Sequence, residues 1–256
     1  MQEPIDREPA RANGRGSGVL RPVRMVLGVS PYAEGSAEVA FGNTQLLVTA
    51  SVEKEVPQWL AGGSRGWITA EYGMLPRATS TRNKREAASG RQTGRTQEIQ
   101  RLVGRALRSA VHLEELSGLT IRVDCDVLTA DGGTRTAAIC GGWLALRQAL
   151  DWAYKHERLS APVSMRRIAA ISAGVVNGVP LLDLDYSEDS TADFDLNVVM
   201  DESLRLVEVQ GTAEAGAISN SDFMQLLDLC QQGIERILAM QQQALAEANS
   251  TYRSGS

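Results

Sequence analysis

The sequence predicts an α+β fold in which mixed sheets pack with helices and one strand-hairpin-helix unit occurs twice. Three observations lead there. Apolar runs meet at the tight-turn pairs Gly42-Asn43 and Asn177-Gly178, which favour hairpins. A 3.6-residue apolar period appears at Ile99, Leu102, Val103, Ala106, Leu107, Ala110 and Val111, and again from a Ser221 cap through Phe223, Leu226, Leu227, Cys230, Ile234, Ile237 and Leu238. Finally, EGSAEVAFGNTQLLVTASVE at 34–53 is echoed by EDSTADFDLNVVMDESLRLVEVQGTAE at 188–214: acid, small residues, strand, turn, strand. Identity between the copies is slight, so chance likeness between two hairpins is the alternative to duplication.

Residues 1–18 mix charges with Pro and Gly and are expected to carry no structure. A first strand is expected over Leu20–Val29. The second strand of the hairpin, Thr44–Val52, is nearly continuous apolar and so central. Residues 53–93 show no long periodic segment and form a long connection of the kind that carries function. The helix that follows is expected to be capped by Thr96, with Arg95 at its mouth. A strand over Leu119–Leu128 leads to Gly132-Gly133 and to a helix from about Ala137 to His156, capped by Thr134 or Thr136, whose Gly141 and Gly142 imply a close approach to a neighbour. Strands at Ile168–Val176 and Val179–Leu184 follow. Residues 248–256 are expected to fray. The organisation predicted is one domain at 19–247 in two similar halves, about 19–117 and 118–247, between disordered ends.

The chain has 256 residues, 43% of them hydrophobic and 22% charged, enough for a real core. No apolar run approaches the ~20 residues that span a bilayer, and the N-terminus has no signal-peptide core. The three cysteines, Cys125, Cys140 and Cys230, are far apart in apolar surroundings, as suits buried thiols in a reducing cytoplasm. Net charge is −5, yet Arg65 to Arg108 holds ten Lys/Arg against three Glu; removing that +7 leaves −12 elsewhere. A basic stripe on an acidic body is a footprint for nucleic acid or phosphate.

Three constellations carry possible chemistry. In DCDVLTADGGTRT at 124–136, exposed amides at a helix start and the planar fork of Arg135 suit an anion; a tight turn with a solvent-facing arginine fits equally well. Asp183, Asp185 and Asp189, with Glu188 beside them, cluster after an apolar strand. Such repulsion is relieved by a divalent cation, magnesium being the natural guest, or by solvent if the turn is merely acidic surface. Asp183 and Asp185, two apart, are expected to face one side. Arg77, Arg82, Lys84, Arg85 and Arg91 form the basic loop. Trp59, Trp67 and Tyr72 either stack bases or pack the long connection at 53–93 onto the body.

With these residues laid out, the chain resembles the bacterial ribonuclease PH family of phosphate-dependent exoribonucleases. The likeness rests on LRPV at 20–23, EGS at 34–36, GWITAEYGMLPRAT at 66–79, GRTQEIQRLVGRALR at 94–108, DCDVLTADGGTRTA at 124–137, LDLDYSEDS at 182–190 and VEVQGTAE at 207–214. It implies a duplicated βαβ-type fold like that of ribosomal protein domain 2, in a cytoplasmic homo-oligomeric ring of six built as a trimer of dimers. It implies trimming of transfer-RNA precursor 3′ ends with inorganic phosphate as co-substrate, releasing nucleoside diphosphates, and the reverse nucleotidyl transfer. Phosphate would be held by Arg95, Gly133, Thr134 and Arg135. Asp183, Asp185 and Asp189 would be catalytic, with Mg2+ on Asp183 and Asp189, and Arg77, Arg82 and Arg85 would engage RNA. Asn13 departs from the aspartate usual in the family's N-terminal motif. A hydrolytic metal nuclease, or a non-catalytic RNA-binding ring subunit, are the rival readings.

Overall fold

Period-two burial builds the first sheet. In the computed structural model, which describes residue 11, residues 13–214 and residues 217–254, strands β1 (Val23–Leu27), β2 (Gly35–Phe41) and β3 (Thr44–Glu53) run antiparallel, and Val39, Phe41, Leu46, Val48 and Ala50 point inward. Gly42-Asn43 turns β2 into β3, with Phe41 opposite Thr44. The sheet is completed by β4 (Trp67–Met74), which lies parallel to β5 (Thr120–Thr129), in the order β1-β2-β3-β5-β4.

Two expectations are corrected here. The stretch 53–93 contains a full strand, β4, whose alternation Ile68, Ala70, Tyr72 is buried; it is short and flanked by loop, so its period was easy to overlook. The division at 117/118 also fails, because β5 pairs along its whole length with β3 and β4 of the first sheet.

Helix α1 (Glu86–Ser89) interrupts the basic loop, and α2 (Gly94–Ser109) lies against β4 with its Ile99, Leu102, Val103, Ala106 and Leu107 stripe buried. Helix α3 (Thr134–Lys155) is buried nearly all round. One side meets the first sheet: a Cβ on Gly141 would stand 2.9 Å from Val48 and 3.0 Å from Val39, the close approach the double glycine implied. Its other side meets the second sheet, where the Ala170 N–H donates to Cys140 Sγ at 3.4 Å.

The second sheet has the order β7-β6-β8-β9, from β6 (Ile168–Val176), β7 (Val179–Leu182), β8 (Phe194–Asp201) and β9 (Leu206–Ala213). Asn177 and Gly178, at φ 51° and 76°, close the β6–β7 hairpin as expected. The β8–β9 hairpin pairs antiparallel as β2–β3 does, the arrangement expected of a repeated unit. Helix α4 (Tyr186–Asp189) carries the acidic turn, and α5 (Asn220–Ser254) covers β6 and β7.

Both chain ends differ from expectation. Helix α5 continues through Ser254, since each further residue of a helix already nucleated needs only its own hydrogen bond. Residue 11 and residues 13–18, expected to be structureless, lie on the acidic turn; residues 1–10 and 12 are outside the described residues. Arg11 is 6% exposed, its Nε 2.6 Å from Glu188 Oε1 and its Nη1 2.8 Å from the Leu182 carbonyl. What fastens this arm is charge pairing across some 170 residues of sequence, which low hydrophobicity does not reveal.

Candidate active site

The site forms where the turn before α3 meets the acidic turn of the second sheet. Gly132 and Gly133 have φ of 73° and 67°, and Gly133 is itself the N-cap of α3, so the helix begins at Thr134, earlier than expected. Neither threonine is the cap: Thr136 Oγ1 donates to the Gly133 carbonyl at 2.9 Å, and Thr134 Oγ1 sits 2.8 Å from the Tyr72 hydroxyl. A Cβ on Gly132 would stand 2.5 Å from the Leu184 carbonyl, so only glycine lets the turn lie against the acidic segment. Asp131 clamps the same contact by accepting from the Tyr186 N–H (3.2 Å) and from Asn43 Nδ2 (3.0 Å).

Arg135 thus stands in the first turn of α3, with 14% of its side chain exposed. Arg95 stands in the first turn of α2, exposed and, among the described residues, in no ion pair. Thr93, not Thr96, caps that helix: its Oγ1 accepts from the Thr96 N–H at 3.2 Å. The fields of both arginines reach Tyr72, Asp189 and Asp195. Two helix N-termini with a guanidinium in each first turn therefore face one small region. Tyr72 beneath it is buried, and burial pushes its hydroxyl up to about 12, so it stays protonated and able to donate to Thr134.

The three predicted acids have three different roles in the fold. Asp183, 1% exposed, has φ of 54°, so the strand has ended and it does not share a face with Asp185 as expected. Its Oδ1 takes Arg21 Nη2 at 2.7 Å, and its Oδ2 takes the Arg21 N–H at 2.7 Å and Nε at 3.1 Å. Arg15 adds a charge 3.6 Å from Oδ2. Asp185 caps α4 in a reciprocal capping box with Glu188. Burial alone would raise its pKa, but hydrogen bonds from Ser187, the Glu188 N–H and Asn13 outweigh that and hold it below the usual value.

Asp189 is different. Among the described residues its carboxylate accepts no hydrogen bond and joins no ion pair, and burial raises its pKa against the opposing fields of Arg135, Arg95 and Arg21. Asp195, on β8, is in the same condition: burial raises it, and the Asp189 charge adds to the rise.

The acids expected to hold a metal, Asp183 and Asp189, are unequally open to a hard cation. Asp189 offers free carboxylate oxygens, and Asp195 does so close enough to feel its charge. Asp183 is the more occupied acid: Arg21 donates to both of its oxygens and Arg15 lies 3.6 Å from Oδ2, although Oδ1 accepts only one bond.

The basic loop faces solvent. Arg77, Arg82, Lys84 and Arg85 are exposed and in no ion pair among the described residues, while Asn83 ties the loop to the Pro76 carbonyl (2.8 Å) and Thr79 (2.9 Å). Beneath it, a cleft of about 560 Å³ lined by Tyr72, Met74, Arg85, Arg91, Gln92 and Asp126 leads down to Tyr72 and so to the start of α3. Trp59 packs edge-on against Trp67 at 4.8 Å, and Arg108 lies over Trp67 at 4.5 Å, so these rings fasten the connection between β3 and β4, not the basic loop, to the body.

Sequence reasoning missed Arg21, which joins Asp183 to the carbonyls of Asp131 and Gly132, and also Arg11, Arg15 and Asp195. Arg21 lies in the LRPV stretch, so the signal was present, but its partner is 162 residues away.

The geometry has matching relatives. Residues 19–150 match the 3′ exoribonuclease family, domain 1, and residues 167–233 match domain 2 of the same family. The chain belongs to the 3′ exoribonuclease family. A ribonuclease PH from Rhodospirillum rubrum is 52% identical over 236 residues, 92% of this chain and 98% of that one. Among solved structures, an Archaeoglobus fulgidus exosome with RNA bound to the active site superposes with a TM-score of 0.77 at 25% identity, covering 90% of this chain and 91% of the other. An archaeal exosome core at 22% identity shares the fold, with a TM-score of 0.74 over 91% of each chain. The two domains of the 3′ exoribonuclease family thus meet where α3 begins, with the glycine turn from domain 1 and the acids from domain 2.

Proposed function

We propose that this chain is a phosphorolytic 3′-to-5′ exoribonuclease that shortens transfer-RNA precursors with inorganic phosphate, releases nucleoside diphosphates, and catalyses the reverse nucleotidyl transfer. The observation that carries this reading is the pair of arginines, Arg95 and Arg135, on two helix N-termini beside the carboxylate of Asp189, which is unpartnered among the described residues. A hydrolase has no use for a second anion site; a phosphorolytic enzyme must hold phosphate next to an anionic RNA.

In this mechanism Arg95, Arg135 and the amides at Gly133 and Thr134 bind inorganic phosphate and cancel part of its repulsion from the RNA. A phosphate oxygen attacks the last phosphorus in line, the P–O3′ bond breaks, and the 3′-oxygen leaves to take a proton from solvent. Positioning supplies most of the acceleration. Magnesium, when bound by Asp189 with Asp195, supplies charge neutralisation at the transferring group. Asp183 and Asp185 act indirectly, by fixing the segment that presents Asp189. No thiol serves as nucleophile: Cys140 and Cys230 are buried and pushed up to about 12.

Arg77, Arg82 and Arg85 grip the RNA backbone upstream of the cleft. The family resemblance supports a hexameric ring and a cytoplasmic setting; among the described residues no helix is long and apolar enough to cross a membrane. The deciding experiment incubates a 3′-tailed transfer RNA with and without phosphate. Nucleoside diphosphates formed only with phosphate are expected; nucleoside monophosphates formed without it would establish the hydrolytic alternative.

A further inference from the structure

Arg135 is held by a relay from both halves of the fold. Its Nη1 donates to Gln210 Oε1 on β9 at 2.9 Å, and Gln210 Nε2 in turn donates to Glu98 Oε1 on α2 at 2.5 Å. Glu98 itself lies 3.7 Å from Arg135 Nη1, and its side chain is 45% exposed. The amide is therefore used at both ends, its oxygen toward the arginine and its nitrogen toward the acid, which fixes its orientation. The β9 backbone aims it: Gln210 pairs with Asn197 of β8, in the same ladder that sets Thr212 opposite Asp195. Two residues earlier on β9, Glu208 pairs with Arg105, so the same strand face grips α2 twice. Glu98 sits three residues after Arg95, so the relay also joins the helix start that carries one arginine to the helix start that carries the other.

We propose that Gln210 is a positioning residue for phosphate recognition: it holds the Arg135 guanidinium away from Glu98, leaving the rest of its fork directed to the incoming phosphate. This rests on the phosphorolytic reading above. A glutamine suits the position because it fills the space between cation and acid without adding charge. Removing its hydrogen bonds frees Arg135 to tighten its 3.7 Å ion pair with Glu98 into a direct hydrogen-bonded one, which lowers its availability to phosphate.

The test measures kcat/KM for phosphate at saturating RNA, and KM for RNA at saturating phosphate. Q210M, near in size but unable to bond, is expected to lower kcat/KM for phosphate about tenfold, a ~1.4 kcal/mol effect, with KM for RNA and the melting temperature unchanged. Adding E98Q to Q210M removes the competing carboxylate and is expected to restore most of the loss. In an Arg135→Ala background Q210M is expected to have no further effect. Should Q210M melt early, Q210E is the second variant: its carboxylate would engage Arg135 directly, and a larger loss confined to phosphate is expected. An unchanged phosphate dependence in both variants, or a full Q210M effect in the Arg135→Ala background, overturns the proposal. Wild-type activity without phosphate would overturn the phosphorolytic reading as well, and that is seen before any variant is made.

Discussion

Arg21 and Asp183 form a buried two-point ion pair, Nη2 to Oδ1 at 2.7 Å and Nε to Oδ2 at 3.1 Å, and the same guanidinium donates to the Gly132 carbonyl at 3.4 Å. One arginine thereby ties the acidic turn of domain 2 to the glycine turn of domain 1. The pair is almost sealed from water, at 5% and 1% side-chain exposure, so removing either member strands a charge. Asp183→Asn is expected to destabilise the fold by about 3–5 kcal/mol, seen as a lower midpoint in urea, and to lose activity as a consequence. A variant as stable as wild type would mean that Asp183 is not the structural anchor.

Asp189→Asn should behave in the opposite way. Its carboxyl has a raised pKa in the folded chain, chiefly through burial, so the native state is penalised for ionising it. That penalty is fully present above the folded pKa and absent below the unfolded value near 3.8, where both states hold the proton. The asparagine variant should therefore melt higher than wild type at neutral pH, with the gain fading as pH falls through the range between the two pKa values. Activity should fall by two orders of magnitude or more, on the order of what loss of a charge-stabilising group costs. Melting curves at pH 7 and pH 3.5 check the first half; equal shifts at both would remove the burial argument.

What could be read from the sequence followed periodicity and turn chemistry. The stripe from Ile99 to Leu107, the Asn177-Gly178 hairpin and the glycine approach at Gly141 each express a local rule, and each stands in the structure. Arg95, Gly133 and Arg135 were legible because a helix start is a local feature with its own electrostatics. The acids were legible as a cluster but not as individuals. Nothing near Asp183 in sequence announces that Arg21 donates to both its oxygens, or that the positive φ of Asp183 turns it away from Asp185. Arg11 and Arg15 were hidden by the same blindness: a segment poor in apolar residues looks loose until its counter-charges are found at Glu188 and Asp183. Asp195 was invisible because it looks like any polar residue alternating along a strand.

Arg95→Ala isolates the phosphate site from the fold. The side chain is exposed and makes no ion pair among the described residues, so its loss should leave melting unchanged. A charge-assisted contact contributes about 1.5–3 kcal/mol, so the phosphate concentration needed for half-maximal rate should rise roughly ten- to a hundredfold. Binding of RNA in the absence of phosphate should stay within about twofold. Titration of phosphate against initial rate measures the first, and filter binding the second; unchanged phosphate dependence would place the anion elsewhere.

The basic loop makes the last prediction, and it is one of salt. Arg77, Arg82 and Arg85 are exposed and unpaired among the described residues, above a cleft that Arg85 itself lines. If each neutralises a phosphate of the RNA, binding releases counterions, and log K should fall with log salt by about 0.7–0.9 per contact. Replacing all three by alanine should then flatten the slope by roughly two to three, and weaken a full transfer RNA far more than a short oligonucleotide whose 3′ end reaches only Tyr72 and the start of α3. The phosphate requirement should not move, because the loop braces the start of α2 through Glu86, which accepts from the Thr93 N–H and the Thr96 hydroxyl, and not through the three arginines replaced. The same variant must be sized by sedimentation, since a surface loop can also pack against a neighbouring subunit. Smaller assemblies with an unchanged salt slope would show that the arginines build the oligomer, and that the RNA backbone is gripped elsewhere.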